Sequence, residues 1–302
     1  MGLLLSILTS DILPIFAIAA AGFLIARFAA VDVRNVSRLT FYAFMPCLSF
    51  RLLVTSTASG PNVVRLMILS VLIMVVMGIV GYIAAKPLGL DGPSRRAFLM
   101  VVMFSNSGNY GLPVVQFAFG PEALTYGTIL FISSSVATYV ASAFFASSRQ
   151  GQLRGVLDKI WRMPSLYGVA AALIVLAIGQ PVPESLMRPV AMLSDAALPV
   201  MILVLGMQLE RAAWPPRPGI VIWAVAISLL VAPLMALGLT SLLGITGPAR
   251  QAAVILSSMP VAVVTTILAL EFGLAPEFVT AAVFLSTIAS PLTLAPLIAY
   301  LQ

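Results

Sequence analysis

The chain alternates between long apolar runs and short polar connections. Runs of about 20 apolar residues match the thickness of a bilayer's hydrocarbon core, so each run predicts a membrane-spanning helix. Gly, Pro and charged residues mark the connections, as in the segment from Lys86 to Pro93. The predicted spans are 10–28, 35–55, 62–86, 96–119, 122–146, 164–181, 187–209, 218–243, 248–271 and 276–300.

Composition supports an all-α polytopic membrane protein with ten transmembrane helices. Of the 302 residues, 61% are hydrophobic and 9% are charged, which leaves almost nothing for a soluble domain. Cys47 is the single cysteine and the chain has no histidine, so we expect no disulfide, no metal and no cofactor. Paired catalytic groups and a phosphate-binding loop are missing from the sequence, which argues against an enzyme.

The distribution of basic residues predicts the orientation. With the N-terminus outside, twelve of the sixteen Lys and Arg residues fall in the inner connections, and the outer side keeps Arg51, Arg65, Arg188 and Arg250. This bias favours both termini on the non-cytoplasmic side. Because the basic residues are scattered singly rather than clustered, the net charge of +6 does not indicate a nucleic-acid partner.

The fourth span has a polar centre that runs from Ser105 to Pro113. Irregular backbone at bilayer depth is tolerated only where protein covers it or where it lines a cavity, so this stretch predicts a broken helix at a binding site. The candidate ligand contacts are Ser105, Asn106, Gly108, Asn109, Gly111 and Pro113. The alternative is that the Gly and Ser residues serve only close helix packing and the Pro only kinks the span.

The two halves of the chain match at an offset of 153 residues. The offset pairs Pro46 with Pro199, Ser105 with Ser258, and Phe119-Gly120 with Phe272-Gly273. Each half holds five spans, an odd number, so the second half is predicted to be inverted relative to the first. The predicted organisation is residues 1–150 as the first repeat, 151–163 as a cytoplasmic link and 164–302 as the second repeat.

The offset also predicts a second break in the ninth span. Ser257, Ser258 and Pro260 interrupt that span, and we expect the two breaks to face each other. The candidate ligand contacts at this second break are Ser257, Ser258, Pro260 and Thr265. New helix N-termini at such breaks present free amides and a partial positive charge, which together bind a carboxylate without a cationic side chain. Asn106 and Asn109 add amide groups to this site.

Asp195 is the clearest acid within an apolar span and is a candidate carrier of a coupling proton or ion. The alternative is that Asp195 lies near the outer interface and caps a helix. Arg51, near the outer end of the second span, either snorkels to the headgroups or attracts anions.

These motifs resemble the auxin efflux carrier family over the whole chain. The resemblance rests on Leu39 to Pro46, on Ser105 to Pro113 with Phe119-Gly120, and on Met259-Pro260 with Phe272-Gly273. It implies a secondary carrier of small organic anions, since plant members export indole-acetate and bacterial members are assigned to malonate or malate. In the plant carriers the carboxylate lies beside an Asn that matches Asn106, at the point where the two broken helices cross.

Two positions depart from the plant pattern. Ser105 and Thr265 stand where plant carriers have prolines, which leaves the substrate open between a dicarboxylate and an auxin-like monocarboxylate. We expect a homodimer in the bacterial inner membrane, with the lipid bilayer and the organic anion as its other partners. An anion channel or a membrane sensor on the same fold is the alternative, although a channel needs a continuous polar pathway and the polar residues cluster at two points.

Overall fold

The structure, a computed structural model, describes residues 2–29, 31–56, 60–145, 158, 160–210 and 217–302. Within these residues it is built from helices and contains no β-strand. Most of the predicted link 151–163 and the connection 211–216 lie outside the described residues. The helices are α1 Gly2–Phe28, α2 33–54, α3 Gly60–Ala85, α4 Gly92–Met103, α5 107–119, α6 121–145, α7 Pro164–Ile178, α8 Glu184–Leu209, α9 Pro218–Leu242, α10 Gly247–Ser257, α11 Val264–Phe272, α12 Pro276–Ala289 and α13 Pro291–Leu301.

The prediction of a polytopic helical membrane protein is confirmed. Five helical segments in the described part of the chain are long and apolar enough to span a membrane: α1, α3, Ser107–Ser142, α8 and α9. The pair α12 and α13, bent by 49° at Ser290, is a sixth if it is one span. The other predicted spans correspond to shorter or interrupted helices, such as α7 with 15 residues, so the count of ten stays a prediction.

Local chemistry explains where the interrupted helices begin and end. Asp91 caps α4 by accepting a hydrogen bond from the Ser94 amide at 3.1 Å, and Pro93 occupies the first turn, where its missing amide costs nothing. The hydrogen bonds from Ser94 hold the pKa of Asp91 below its usual range. At Gly120 the backbone (φ 80°, ψ −168°) leaves the helical region, and this residue therefore separates α5 from α6.

Glycines bring four helices into close contact. A side chain at Gly206 of α8 would strike the backbone carbonyl of Ala19 in α1, and one at Gly22 would strike that of Leu203. Gly168 of α7 lies in the same way against the carbonyl of Pro46 in α2. Small residues let membrane helices approach until their backbones touch. Helices α1 and α8, and helices α2 and α7, are therefore packed in pairs at backbone distance.

Candidate functional site

The first break is shorter than predicted. Helix α4 ends at Met103, and only residues 104–106 are irregular before α5 begins with the π-helical turn Ser107–Gly111. The Gly111 amide donates to the carbonyl oxygen of Asn106 at 3.0 Å, which closes this wide turn. The prediction of irregular backbone as far as Pro113 is therefore wrong, because the turn accommodates the glycines and Pro113 lies in the following helix.

The second break spans residues 258–263, between α10 and α11. The Ser258 hydroxyl donates to the carbonyl oxygen of Val254 at 2.6 Å, one turn back in α10. The Thr265 hydroxyl, at the start of α11, donates to the carbonyl oxygen of Ala262. Both side chains are fully buried and stabilise the ends of their own helices.

The two breaks lie in direct contact. The backbone amide of Asn106 donates to the Pro260 carbonyl oxygen at 2.7 Å, and the backbone amide of Ala262 donates to the Phe104 carbonyl oxygen at 2.8 Å. These bonds form an antiparallel bridge centred on Ser105 and Val261. The Ser105 hydroxyl adds a hydrogen bond to the Leu256 carbonyl oxygen at 3.1 Å. Each break thus satisfies backbone groups that the other leaves free.

Two asparagine side chains beside the bridge keep unpaired polar atoms. Asn106 is 5% exposed, and its side-chain nitrogen Nδ2 has no hydrogen-bond partner among the described residues. Asn109 donates its Nδ2 to Gln208 Oε1 at 3.4 Å, while its own Oδ1 is buried and unpaired within the same part of the chain. A buried polar group without a partner costs about 1–3 kcal/mol. A ligand with an acceptor oxygen would satisfy the Asn106 amide.

The predicted site glycines contact protein atoms at this position. A Cβ added to Gly108 would lie 2.7 Å from the Phe131 ring, and one added to Gly111 would lie 3.0 Å from Met259 Cγ. These two residues therefore let α5 pack tightly against α6 and against the second break. The N-terminal end of α5 follows Asn106 directly, so its partial positive charge lies next to the unpaired amide.

A cavity with an empty volume of about 420 Å³, including the space at its open mouth, lies beside the breaks. Six serines line the cavity, and we call it the serine cavity: Ser70, Ser105, Ser107, Ser134, Ser228 and Ser257. Sequence reasoning missed Ser70, Ser134 and Ser228, because single serines within apolar spans most often serve helix packing. The consecutive serines 133–135 were the one available signal.

Asp195 forms an ion pair with Arg51 rather than lying buried inside the protein. Arg51 Nη1 contacts Asp195 Oδ1 and also donates to the Ala191 carbonyl oxygen at 3.3 Å, which links α2 to α8. The Asp195 side chain is 70% exposed. Because Asp195 lies in the middle of α8, it does not cap this helix, and the helix-cap interpretation is wrong. The role of Asp195 in coupling stays a prediction.

Long apolar helices with two joined helix breaks are the architecture of a polytopic membrane protein, and the comparisons with known proteins show that this one is a membrane transporter. The chain belongs to the family described as membrane transport protein, the auxin efflux carrier-like family, which matches residues 7–298. It is similar to an uncharacterized transporter from Methanothermobacter thermautotrophicus, 24% identical over 95% of this chain and 96% of the relative. It is also similar to an uncharacterized transporter from Methanocaldococcus jannaschii, 25% identical over 86% and 87% of the two chains. The family predicted from the motifs is therefore confirmed.

Proposed function

We propose that the protein is a secondary active transporter that moves a small organic anion by alternating access around two broken helices. One observation carries the proposal: the buried side-chain nitrogen Nδ2 of Asn106 has no partner among the described residues, and Asn106 directly precedes α5. The amide and the helix end are both suited to a carboxylate. The substrate is then a malonate-like or malate-like dicarboxylate, or an auxin-like monocarboxylate.

The architecture we propose is ten membrane spans in two inverted five-helix repeats. Helices α4 with α5, and α10 with α11, each count as one broken span in this arrangement, and α12 with α13 as one bent span. The backbone bridge supports the arrangement, since it joins Ser105 to a segment that begins at Ser258, the residue 153 positions later. A site where broken helices of two repeats meet is typical of secondary transporters.

Neutral groups would bind the anion in this arrangement. The described residues that form the bridge, 104–106 and 260–262, include no Lys or Arg. Helix N-termini and amide donors hold a carboxylate by charge-assisted hydrogen bonds without a fixed cation. Release on the far side of the membrane then requires only that these donors separate, which suits a carrier that must let go of its substrate.

A carrier fits the polar groups better than the alternative of an anion channel or a sensor. Within the described part of the chain, the unpaired buried side-chain atoms lie on α5 and the break before it, apart from that of Ser49, whereas a channel needs polar groups along its whole length. We also propose that the protein is a homodimer of the bacterial inner membrane, with both termini non-cytoplasmic and the link 151–163 in the cytoplasm.

Counterflow in liposomes tests the proposal. Purified protein is reconstituted with unlabelled malonate, malate or indole-acetate inside, and uptake of the same labelled anion is followed. A carrier gives uptake that is accelerated by internal substrate. Steady flux that internal substrate does not accelerate would indicate a channel, and binding without any flux would indicate a sensor.

A further inference from the structure

We propose that the serine cavity binds a monovalent alkali cation. The cavity is separate from the Arg51–Asp195 pair and from the unpaired Asn106 amide, which are not among its lining residues. Three features carry the inference: the hydroxyl groups, the helix ends that meet at the cavity, and the lack of charged side chains in its lining.

Three of the hydroxyl groups present only their oxygen lone pairs to a ligand. Ser70 donates its proton to the Met67 carbonyl oxygen at 2.7 Å, and Ser134 donates to that of Leu130 at 2.8 Å. Ser105 donates in the same way to the Leu256 carbonyl oxygen. A hydroxyl whose proton is already donated acts toward a ligand as an acceptor. Such a group coordinates a cation and repels a carboxylate.

The other three hydroxyl groups lack partners. Ser107, Ser228 and Ser257 are 8%, 4% and 8% exposed, and their Oγ atoms make no hydrogen bond to any described residue. Ser228 lies in the π-helical turn Ile227–Val231 of α9, and such turns occur frequently at functional sites. These oxygens line the cavity and are free to coordinate an ion.

The ends of two helices add negative charge at the cavity. Val102 and Met103 end α4, Leu256 and Ser257 end α10, and all four line the cavity. The last carbonyl groups of a helix carry about half a negative charge together. No backbone amide in the described chain donates to the carbonyl oxygen of Val102 or Met103.

The N-terminal end of α5 reaches the same wall through Ser107. Its first amide, that of Ser107, already donates to the Ser105 carbonyl oxygen at 2.9 Å. That amide is therefore not available to a ligand in the serine cavity.

The absence of carboxylates from the cavity lining selects a monovalent ion. The described residues that line the cavity include no Asp or Glu, and divalent Ca²⁺ and Mg²⁺ sites rely on carboxylates. Hydroxyl and carbonyl oxygens replace the hydration shell of an alkali cation, as backbone carbonyls do in ion channels. Sodium and potassium are thus the candidate ligands.

The position of the cavity couples it to the anion site, and this step rests on the proposed function. Ser105 lines the cavity and the next residue, Asn106, presents the unpaired amide, so cation and carboxylate would flank one short segment. Each ligand then raises the affinity of the other by the same factor. A cation gradient would drive uphill transport of the anion independently of Asp195.

Thermal unfolding of the purified full-length protein, without substrate, tests cation binding. Unfolding is measured in NaCl, KCl and N-methylglucamine chloride at constant ionic strength. Binding to the folded state raises the midpoint by several degrees in at least one alkali salt, and the midpoint rises further with the logarithm of the ion concentration above the dissociation constant. Equal midpoints in all three salts would overturn the proposal.

Serine variants locate the ion. Ser228→Ala and Ser257→Ala break no hydrogen bond of the described chain, so both should fold, and each should raise the half-saturating cation concentration roughly tenfold or more. Ser241→Ala, on the exposed face of α9, is the matched control and should behave as wild type. A wild-type salt response in both cavity variants would contradict the site.

The cation proposal and the transport proposal can fail separately. Stabilisation by a cation in a protein that shows no anion counterflow would contradict the transport proposal and leave the cation site in place.

Discussion

The backbone amide of Asn106 donates to the carbonyl oxygen of Pro260 at 2.7 Å, which fixes the end of one helix break to the middle of the other. The main chain makes this contact, and the side-chain nitrogen Nδ2 of Asn106 has no hydrogen-bond partner among the residues that the structure describes. The backbone bond thereby holds Asn106 in place, and its side-chain amide nitrogen stays available to a ligand. Such a group can bind a ligand at little cost in reorganisation.

Loss of the Asn106 side chain should weaken substrate binding. Asn106→Ala leaves the backbone bond to Pro260 intact and removes the free Nδ2 donor. We expect a loss of about 1–3 kcal/mol, roughly tenfold or more in affinity, the usual cost of a hydrogen bond to a charged group. Competition by unlabelled malonate measures the affinity, and Asn35→Ala on the exposed side of α2 is the control. Unchanged affinity in Asn106→Ala would remove this residue from the site.

Replacement of Pro260 should impair transport without loss of insertion. An alanine at position 260 gains an amide, which favours continuation of α10 across the break and withdrawal of the carbonyl that Asn106 contacts. Uptake in liposomes should fall while the yield of folded protein stays normal. Pro113→Ala should have less effect, because Pro113 already lies in a helix. Pro218→Ala, in the exposed first turn of α9, serves as control, and equal rates in Pro260→Ala and this control would show that the break serves packing alone.

The tight packing of α1 against α8 should make Gly206 sensitive to substitution. Gly206→Ala places a methyl group against the Ala19 backbone carbonyl, so the helices must separate. Overpacking of this kind costs about 1–3 kcal/mol of stability. Gly219→Ala, where a Cβ has open space, should leave the unfolding midpoint unchanged. A midpoint for Gly206→Ala as high as that of the control would mean that α1 and α8 are not in backbone contact.

Hydropathy and turn residues predicted most helix positions, because spans in lipid must be long, apolar and internally hydrogen-bonded. The first break is shorter than the sequence predicted, because Gly108 and Gly111 belong to a π-helical turn that is part of α5. Composition alone does not distinguish a wide turn from an irregular one.

Contacts between distant parts of the chain explain the other differences between the predictions from sequence and the structure. Arg51 and Asp195 are 144 residues apart, and each was interpreted alone, so their ion pair was not predicted. Ser70, Ser134 and Ser228 are unremarkable in their own spans and form a polar cavity only when α3, α6 and α9 converge. The offset that pairs Ser105 with Ser258 predicted an interruption in the ninth span, and the structure has an interruption between Ser257 and Val264.

Asp195→Asn should separate coupling from substrate movement. If the carboxylate carries the driving proton, as proposed from its position in an apolar span, uptake driven by a pH gradient should be lost while exchange continues. Arg51→Gln is the companion variant, since it removes the partner and keeps the acid. Unchanged pH-driven uptake in Asp195→Asn would reduce Asp195 to an ion-pair partner that connects α2 and α8.

The charge bias predicts the side of the membrane on which each connection lies. In a Cys47→Ser background, an impermeant thiol reagent applied outside should label Gln180→Cys and leave Asp158→Cys unlabelled. Both positions are exposed, so accessibility does not favour either. The reverse pattern would invert the proposed orientation, and labelling of both would contradict the number of spans between them.

Counterflow of a labelled anion tests the central claim most directly. Liposomes loaded with unlabelled malonate, malate or indole-acetate should take up the matching labelled anion faster than empty liposomes, and Asn106→Ala should raise the half-saturating concentration roughly tenfold. Internal substrate accelerates uptake only if one site faces the two sides in turn. Uptake at the same rate with and without internal substrate, for each of the three anions, would contradict a carrier built on the two joined breaks.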